Sequence, residues 1–297
     1  MQRRDFIKTT ALSAIAVSTT GFIRFDGKHY IGNCETTSDV LGPFYRPDSP
    51  LRQNLVIEGQ KGDPIELMGK ILHEDCTTPY KNAKIELWHC DGNGVYDNES
   101  ADFKYRGTAY SDQTGSYSFN TILPVPYGEG ENYRPAHFHL MITTEGYQPL
   151  VTQLYFVGDP WIEKDELSSS PTAIRRILEV QNLGNGSKKV EYNVSMAQKL
   201  AAEPAAIERL VGLYTNEKDS TKTMELFKKD NQLWMKNEPF GQNLEFLGMN
   251  TFTLPGIPPQ HKLTFVFEPM LSGAVKLTET YSNDKGDKNV TVYLKSA

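Results

Sequence analysis

The feature that most constrains the fold is a long succession of short apolar runs, each followed by a turn signal. Turns rich in Gly, Asp and Asn, such as residues 91–94 and 112–115, separate these runs. Many short strands at fairly even spacing favour a β-sandwich or barrel over an alternating β-α-β fold. The clearest runs are residues 65–72, 83–88, 115–119, 136–142 and 151–157. We therefore predict an all-β domain over residues 27–198.

Three local features refine this prediction. Gly69 interrupts the first run and indicates a bulge or the close approach of another backbone segment. Residues 171–180 have the pattern of a short helix, and residues 189–194 that of a closing strand.

The C-terminal part of the chain returns to a β pattern after a different kind of segment. Residues 199–213 belong to a stretch rich in Ala, Glu, Lys and Leu, with Pro204 in its middle, and we interpret them as a helical linker. Residues 214–297 mostly alternate apolar and polar residues between short turns, which predicts a second, small all-β domain. That region contains His261 but no cysteine and no carboxylate cluster, so we expect no chemistry there.

The N-terminus has the layout of an export signal. Arg3 and Arg4 begin the stretch RRDFIK, and an apolar run over residues 9–22 follows. The run is too short to span a bilayer comfortably, and the paired arginines resemble a twin-arginine signal. Residues 1–26 are thus predicted to direct the protein to the periplasm or cell envelope, with no transmembrane segment in the mature chain. The alternative is a surface basic cluster before a core helix.

Three cysteines and the net charge limit the remaining possibilities. Export permits a disulfide, and Cys34–Cys76 is the favoured pair because Cys90 ends an apolar strand. Lipid attachment at Cys34 is a second possibility. The formal charge of −6, with basic runs confined to the N-terminus and two lysine pairs, gives nucleic-acid binding little support. A homo-oligomer remains possible.

The sharpest local feature is the pair His137 and His139. On a strand, residues two apart point to the same face, so both imidazoles can reach one metal while Phe138 packs into the core. Such a pair suits zinc, copper or iron, and His89 could add a third nitrogen ligand to zinc or copper. An iron(II) site of the facial-triad type would need a carboxylate and usually another histidine downstream, and the next histidine is His261.

Two tyrosines in turn contexts precede the histidine pair. Tyr96 follows Gly94, and Tyr127 lies between Pro126 and Gly128. Phenolate is a hard, anionic ligand that suits a ferric ion, and a bound cation lowers the pKa of a phenol. Because the chain has 15 tyrosines, each of these two taken singly is more readily explained by packing than by metal binding.

Several segments together resemble the intradiol ring-cleavage dioxygenases, a family that includes catechol 1,2-dioxygenase and protocatechuate 3,4-dioxygenase. The similarity spans roughly residues 34–195 and keeps the family's order and spacing. The matching segments are Leu-Gly-Pro-Phe-Tyr at residues 41–45, Ile-Glu-Leu-Trp-His-Cys-Asp at 85–91, Gly-Val-Tyr at 94–96, Pro-Tyr at 126–127, Arg-Pro-Ala-His-Phe-His at 134–139 and Thr-Gln-Leu-Tyr-Phe-Val-Gly-Asp-Pro at 152–160.

The resemblance implies a β-sandwich and a ferric ion, Fe(III), held by Tyr96, Tyr127, His137 and His139. Tyr127 would be the ligand that moves away when substrate binds. Arg134 would lie beside the substrate and stabilise negative charge on its ring, and Gln153 would lie behind the ligands. The expected reaction is cleavage of a catechol-like diol by O2, between the two hydroxyl-bearing carbons, to a cis,cis-muconate-type diacid.

Two departures and one rival keep other interpretations open. Residues 27–55 are too short and too rich in Pro and Gly for the helical N-terminal region of catechol 1,2-dioxygenases, and the C-terminal domain is an addition to the family's pattern. The chain also resembles transthyretin-like sandwiches that bind partners without catalysis, and fold does not fix function. Nothing in the predicted pocket segments, residues 41–46, 97–105 and 129–133, selects a particular diol.

Overall fold

The computed structural model describes residues 23–25, 30–32, 34–129, 132–184, 186–197, 201–236, 241–258 and 260–295. The predicted export signal lies outside these residues except for positions 23–25, and residues 130 and 131 of one predicted pocket segment lie outside them as well. Within the described residues, no helix is long and apolar enough to cross a membrane.

The first domain is a sandwich of two sheets, as its strand pattern predicted. The sheet that carries the site, called here the site sheet, has the strand order β11-β10-β9-β4-β5, and the facing sheet has β3 beside β6, β13 and β14, with β12 beyond β13. The strands of this part of the chain are β1 (Ile23–Phe25), β2 (Tyr30–Gly32), β3 (Pro64–Leu72), β4 (Lys84–Trp88), β5 (Arg106–Tyr110), β6 (Ser116–Ile122), β7 (Tyr127–Glu129), β8 (Asn132–Arg134), β9 (His137–Thr143), β10 (Leu150–Phe156), β11 (Ile177–Leu178), β12 (Gln181–Leu183), β13 (Ser187–Glu191) and β14 (Val194–Ser195).

The sandwich core follows from alternation along the strands. In β3, buried residues occur at every second position, so that Leu67 and Ile71 face the other sheet. Phe138 and Leu140 of β9 meet them from the site sheet and are fully buried. Gly69 is a point of close approach, as expected: a Cβ there would lie 1.8 Å from the Tyr192 carbonyl oxygen.

That close approach explains one difference from the predicted elements. The expected closing strand over residues 189–194 is two strands, β13 and β14, because backbone pairing with β3 is interrupted after the Tyr192 N–H, which still donates to the Met68 carbonyl at 2.8 Å. The side chain of Asn193 accepts a hydrogen bond from the Lys70 backbone N–H, which would otherwise lack a strand partner here.

The predicted helix at residues 171–180 is shorter than expected. A 3₁₀ helix covers Pro171–Arg176, with the Ser170 side chain capping its first turn. Residues 177–178 then form β11, which pairs in parallel with β10. Apolar, β-branched Ile177 gains more from an edge-strand position than from a further helical turn.

The outer face of the site sheet is covered as well. Every residue of β10 is buried, and β9 is buried except at Thr143. Residues 36–46, called here the covering segment, run across this outer face; the Asp39 N–H, for example, donates to the Val151 carbonyl at 2.8 Å. The disulfide Cys34–Cys76, the pair favoured by the sequence, ties the start of this segment to the turn after β3. Because a disulfide uses the Cys34 sulfur, the same sulfur cannot also carry a lipid.

The C-terminal part forms a nine-stranded antiparallel sheet. Its order, β18-β17-β16-β15-β23-β22-β21-β20-β19, leaves β18 and β19 at the two edges although only Leu244 separates them in sequence, so the sheet curls towards closure. The strands are β15 (Gly212–Asn216), β16 (Thr223–Lys229), β17 (Gln232–Met235), β18 (Gln242–Asn243), β19 (Glu245–Gly248), β20 (Thr251–Thr253), β21 (His261–Pro269), β22 (Val275–Asn283) and β23 (Lys288–Lys295). Its core contains Phe252, Phe265 and Leu277.

The predicted helical linker over residues 199–213 is also shorter than expected. Helix α1 covers Pro204–Leu210, and β15 begins at Gly212. Pro204 is therefore a helix start, where its missing N–H costs nothing, and not an interruption. Ile207 and Leu210 of α1 pack into the core of the nine-stranded sheet.

Candidate active site

Strand β9 places the two predicted histidine ligands side by side on the outer face of the site sheet. The Nε2 atoms of His137 and His139 are 3.1 Å apart, and each residue is 1% exposed. Phe138 between them points to the opposite face and packs in the sandwich core. The period of two along the strand thus directs both imidazoles into one dry space.

The local contacts leave both imidazoles neutral. The Nδ1 atom of His137 lies 2.6 Å from the Pro135 carbonyl oxygen, which fixes its proton on Nδ1 and leaves a lone pair on Nε2. Burial, with the nearby Arg134 guanidinium, lowers the pKa of His137 to about 3, and burial also holds the pKa of His139 well below its ordinary value. Neutral imidazole is the form that binds metals.

The two predicted tyrosine ligands reach the same space from separate loops. Tyr96 Oη is 3.4 Å from His137 Nε2, and the ring of Tyr127 lies 5.4 Å from that of Tyr96 and 5.6 Å from that of His137. Gly94 permits this approach, because it has a positive φ of 83° and a Cβ there would lie 2.9 Å from Tyr127 Cβ. The structure therefore brings all four sequence-predicted ligands together.

This donor set suits a hard cation. Burial raises the pKa of both Tyr96 and Tyr127, so that without a bound cation both are neutral phenols. Among the residues that the structure describes, no group of three or more His, Cys, Asp and Glu side chains converges as a metal site. The oxygen donors beside the two histidines are the phenols of Tyr96 and Tyr127, and two phenolates with two imidazoles fit a ferric ion better than zinc or copper(I).

His89, the third nitrogen of the rival zinc or copper site, is not part of this cluster. Its Nδ1 lies 2.7 Å from the Cys90 carbonyl oxygen and its Nε2 lies 2.7 Å from Thr121 Oγ1, so both ring nitrogens have partners. Its ring packs on Phe138, on the face of β9 opposite the histidine pair. His89 is therefore a satisfied core histidine and not a third ligand beside His137 and His139.

Arg134 and Gln153, the two residues expected beside the substrate, are hydrogen-bonded to each other. Arg134 Nη2 donates to Gln153 Oε1 at 2.8 Å, and Arg134 Nε lies 2.5 Å from the Asp165 carboxylate. Gln153 is the cross-strand partner of His139, so it lies directly beside that ligand. Its amide also donates to the Val40 carbonyl at 2.7 Å, which joins the covering segment to the site.

Sequence reasoning missed the buried network behind this pair. Tyr155, the cross-strand partner of His137, donates to Asp39 Oδ2 at 2.9 Å and lies 3.3 Å from Arg134 Nη2. Asp39 forms an ion pair with Arg176, and both side chains are almost fully buried. Tyr155 could have been found, because it shares a strand face with Gln153. Asp39 and Arg176 gave no such local signal.

Aromatic side chains pack around the four converging residues. Phe44 stacks on Tyr96 at 4.3 Å, and Trp88 stacks on His139 at 4.8 Å with only 9° between their planes. The buried Arg106 holds the two segments that carry Phe44 and Tyr96: its guanidinium donates to the Phe44 and Asp97 carbonyls at 2.7 and 2.8 Å. Its pKa falls to about 10 through burial.

A cavity of about 380 Å³ lies beside this cluster, not at its centre. Tyr96 borders it, but Tyr127, His137 and His139 are not among its lining residues. Residues from the predicted pocket segment 97–105, including Asn98 and Lys104, form most of its wall.

Comparison with known proteins identifies the class to which this architecture belongs. A family model described as "Dioxygenase" matches residues 40–198, which contain all four converging residues, Tyr96, Tyr127, His137 and His139. The chain belongs to the intradiol dioxygenase family.

Individual relatives agree with this assignment. The chain is 31% identical over 194 residues to a catechol 1,2-dioxygenase of Candida albicans, a match that covers 57% of this chain and 63% of the relative. It is 33% identical over 158 residues to a chlorocatechol 1,2-dioxygenase of Rhodococcus opacus, covering 45% of this chain and 61% of the relative. The chain thus spans less than two thirds of the length of either relative.

One solved structure shows the same fold. The crystal structure of catechol 1,2-dioxygenase from Pseudomonas arvilla C-1 matches with a TM-score of 0.50 and 24% identity, over 58% of this chain and 64% of that one. The match concerns the sandwich architecture alone.

Proposed function

We propose that the protein is a non-haem iron(III) dioxygenase that cleaves a catechol-like aromatic diol with O2, between its hydroxyl-bearing carbons, to a cis,cis-muconate-type diacid. The observation that carries the proposal is the convergence of two neutral imidazoles and two phenols: His137 Nε2 lies 3.1 Å from His139 Nε2 and 3.4 Å from Tyr96 Oη. The names of the relatives, which act on catechol and chlorocatechol, support the substrate class.

A ferric ion held by Tyr96, Tyr127, His137 and His139 would supply a Lewis acid that binds both diol oxygens and withdraws electron density from the ring. The two tyrosines differ in burial and in contacts, and this difference suggests separate roles in the proposed reaction. Tyr96 is buried and stacked under Phe44, whereas Tyr127 is half-buried at the start of the β7–β8 hairpin. This difference supports Tyr127 as the phenol that moves on substrate binding and whose Oη would accept a proton from a diol hydroxyl.

Arg134 supplies fixed positive charge at the same place. Its guanidinium stabilises the phenolate form of Tyr127, and a diol bound beside it would gain the same stabilisation as its hydroxyls lose their protons. The hydrogen bond that Arg134 donates to Gln153 and its ion pair with Asp165 hold the guanidinium in position before substrate arrives. Phe44 and Trp88 exclude water around these charges, which strengthens each interaction.

The proposal is tested on the purified full-length chain loaded with iron. We expect a broad visible absorption from tyrosinate bound to iron(III), and oxygen uptake with at least one member of a panel of catechol, protocatechuate, hydroxyquinol and larger diols. Tyr127→Phe should shift that absorption and abolish turnover. Tyr110→Phe is the matched control, because Tyr110 is 47% exposed on β5, away from the site.

Two results would count against this function. A stably folded chain that binds no iron would contradict the metal assignment and favour a non-catalytic binding sandwich. An unchanged spectrum and unchanged turnover in Tyr127→Phe would contradict the ligand set while leaving the reaction class intact.

We also propose that the protein is exported by a twin-arginine signal to the periplasm or cell envelope, on the support of Arg3 and Arg4 ahead of the apolar run. Replacing both by lysine should leave the protein in the cytoplasm when cells are fractionated. The control is Lys285→Arg with Lys288→Arg, a matched double change at two exposed positions. Export of the Arg3→Lys, Arg4→Lys double variant at the unchanged level would contradict the proposed route.

A further inference from the structure

The second face of the nine-stranded sheet is buried at β16 and β17, where a free domain would leave it exposed to solvent. Along β16 and β17, Leu226 and Leu233 point into that sheet's own core. Phe227 and Trp234, which are cross-strand partners, point the other way, yet Trp234 is 0% exposed. An antiparallel sheet normally presents polar residues on its second face, so something must cover this one.

The covering segment of the first domain is what lies there. Trp234 and Phe227 belong to the same apolar cluster as Tyr45, Trp88 and Tyr96. The rings of Tyr45 and Trp234 are 6.1 Å apart. Lys229 lies over both, its Nζ 5.2 Å from the Tyr45 ring and 4.9 Å from the Trp234 ring, and it donates to Tyr45 Oη at 3.5 Å.

A second contact lies at the other end of the same segment. Gly256, in the loop before β21, has a φ of 74°, and a Cβ at this position would lie 2.1 Å from the carbonyl carbon of Asp39. Its backbone therefore packs directly on that of Asp39 and Val40, an approach that only glycine permits. The C-terminal domain thus holds the covering segment at residues 39–40 and again at residue 45.

Between these two points the segment supports the proposed ligands. Phe44 stacks on Tyr96. Tyr45 packs against Trp88 at 5.1 Å, and Trp88 stacks on His139. At its start, the Val40 carbonyl accepts from Gln153. Each contact fixes the position of a side chain that faces the four converging donors.

We propose that the C-terminal domain is a working part of the active site, in which Trp234, Lys229 and Gly256 are positioning residues that clamp residues 39–45 over the site sheet. The inference rests on the proposed function for what the site binds, but the clamp itself is a property of the protein alone. If these contacts are lost, Phe44 and Tyr45 move away from the site sheet, which widens the proposed diol pocket. Trp88 then no longer holds the imidazole ring of His139 in a fixed orientation.

The test is a matched pair of glycine variants, Gly256→Ala and Gly286→Ala. Both glycines have positive φ, 74° and 87°, so each alanine meets similar backbone strain. Only at Gly256 does the new methyl group meet another backbone; at Gly286 nothing lies within 4 Å. A difference between the two variants therefore reports the lost clamp and not the strain.

The first readout needs no iron. Cys90 is the only free thiol, because Cys34 and Cys76 are joined, and it is 1% exposed within the cluster that contains Tyr45 and Trp234. We expect Gly256→Ala to raise the rate of its reaction with dithiobis(nitrobenzoate) by about tenfold, through local opening, with Gly286→Ala within about twofold of the native rate. Reaction rates measured at temperatures well below each variant's unfolding midpoint exclude global unfolding as the cause of the reaction at Cys90.

The second readout uses the iron-loaded protein and a cleaved diol. We expect Gly256→Ala to raise KM by about tenfold and to lower kcat by less, because the pocket wall moves while the proposed ligands remain in place. Lys229→Met should act in the same direction, with Lys262→Met, an exposed lysine on β21, as its control. Trp234→Phe should change KM much less than Trp234→Ala does, because an aromatic ring remains packed against Tyr45.

Two outcomes separate this inference from the proposed function. If the native chain cleaves no diol, the proposed function fails, and the thiol rates of Gly256→Ala and Gly286→Ala still decide the clamp. If those two rates are equal, the clamp is overturned whatever the activity of the protein.

Discussion

The site sheet and the nine-stranded sheet differ in how much of their surface is buried away from solvent. All of β10 is buried, whereas no residue of β23 is. A sheet with one wet face can be built from simple alternation of apolar and polar residues. A sheet buried on both faces has no need for polar side chains, yet the outer face of β9 and β10 carries His137, His139, Gln153 and Tyr155. Buried polar groups cost stability unless they are satisfied, so their presence marks a site.

The largest expected effect comes from removing a proposed iron ligand from that buried face. His137→Ala should reduce iron content and diol cleavage by more than about 100-fold, because even partners behind a ligand cost 10–100-fold. The matched change, His261→Gln, removes the imidazole on β21 that is hydrogen-bonded to Tyr281, and both quantities should stay unchanged. Iron analysis and oxygen uptake measure the two effects. Equal losses in both variants would mean that chemistry is not confined to the site sheet.

The next largest effect concerns what keeps the outer face of the site sheet covered. The disulfide Cys34–Cys76 closes a separation of 42 residues at the start of the covering segment. Cys34→Ser with Cys76→Ser should lower the free energy of unfolding of the sandwich by about 2–4 kcal/mol, measured in denaturant. The unfolding transition of the C-terminal domain supplies an internal reference. Native protein in excess reductant is the control, and absence of any shift there would show that the covering segment is held by its other contacts.

The features that the sequence predicted correctly depend on residues close together in the chain, whereas most of the features it missed depend on contacts between residues far apart. The histidine pair was predicted because its spacing is local, and the match of several motifs in order predicted the sandwich. The covering of Trp234 was not predicted, because the short apolar run at residues 233–235 looked like any strand. Its lack of alternation was the available signal: Leu233 faces one core and Trp234 another.

The polar network behind the ligands shows the same limit. Gln153 was placed by its motif, but Asp39 and Arg176 are 137 residues apart and meet only through the folding of the covering segment. The pairing of β15 with β23, which joins the two ends of the C-terminal domain, is equally non-local. Both predicted helices were too long for local reasons. Proline at a first helical turn and proline within a helix look alike in composition, which affected the linker, and Ile177 begins an edge strand that ends the helix of residues 171–176.

A pair of valines measures the comparison directly. Val151, 1% exposed on the outer face of the site sheet, and Val290, 54% exposed on β23, occupy strands of similar length. Val151→Ala should cost about 2 kcal/mol of unfolding free energy, from lost burial and the cavity left behind. Val290→Ala should stay within about 0.5 kcal/mol. Denaturant midpoints of the two domain transitions give both values, and a small cost at Val151 would show that the covering segment is loosely packed there.

The smallest effect expected is on the hydrogen bonds that hold Arg134 in place. Tyr155→Phe removes the hydroxyl that lies 3.3 Å from Arg134 Nη2 and donates to Asp39 at 2.9 Å. Iron content should be kept, while kcat/KM falls by about tenfold, near 1.4 kcal/mol of transition-state stabilisation. Tyr281→Phe is the matched change on the other sheet, since it removes a hydroxyl 2.7 Å from His261 Nδ1, and kcat/KM should not change. A loss of iron in Tyr155→Phe would instead mean that the network supports the ligand His137, its cross-strand partner, more than the guanidinium.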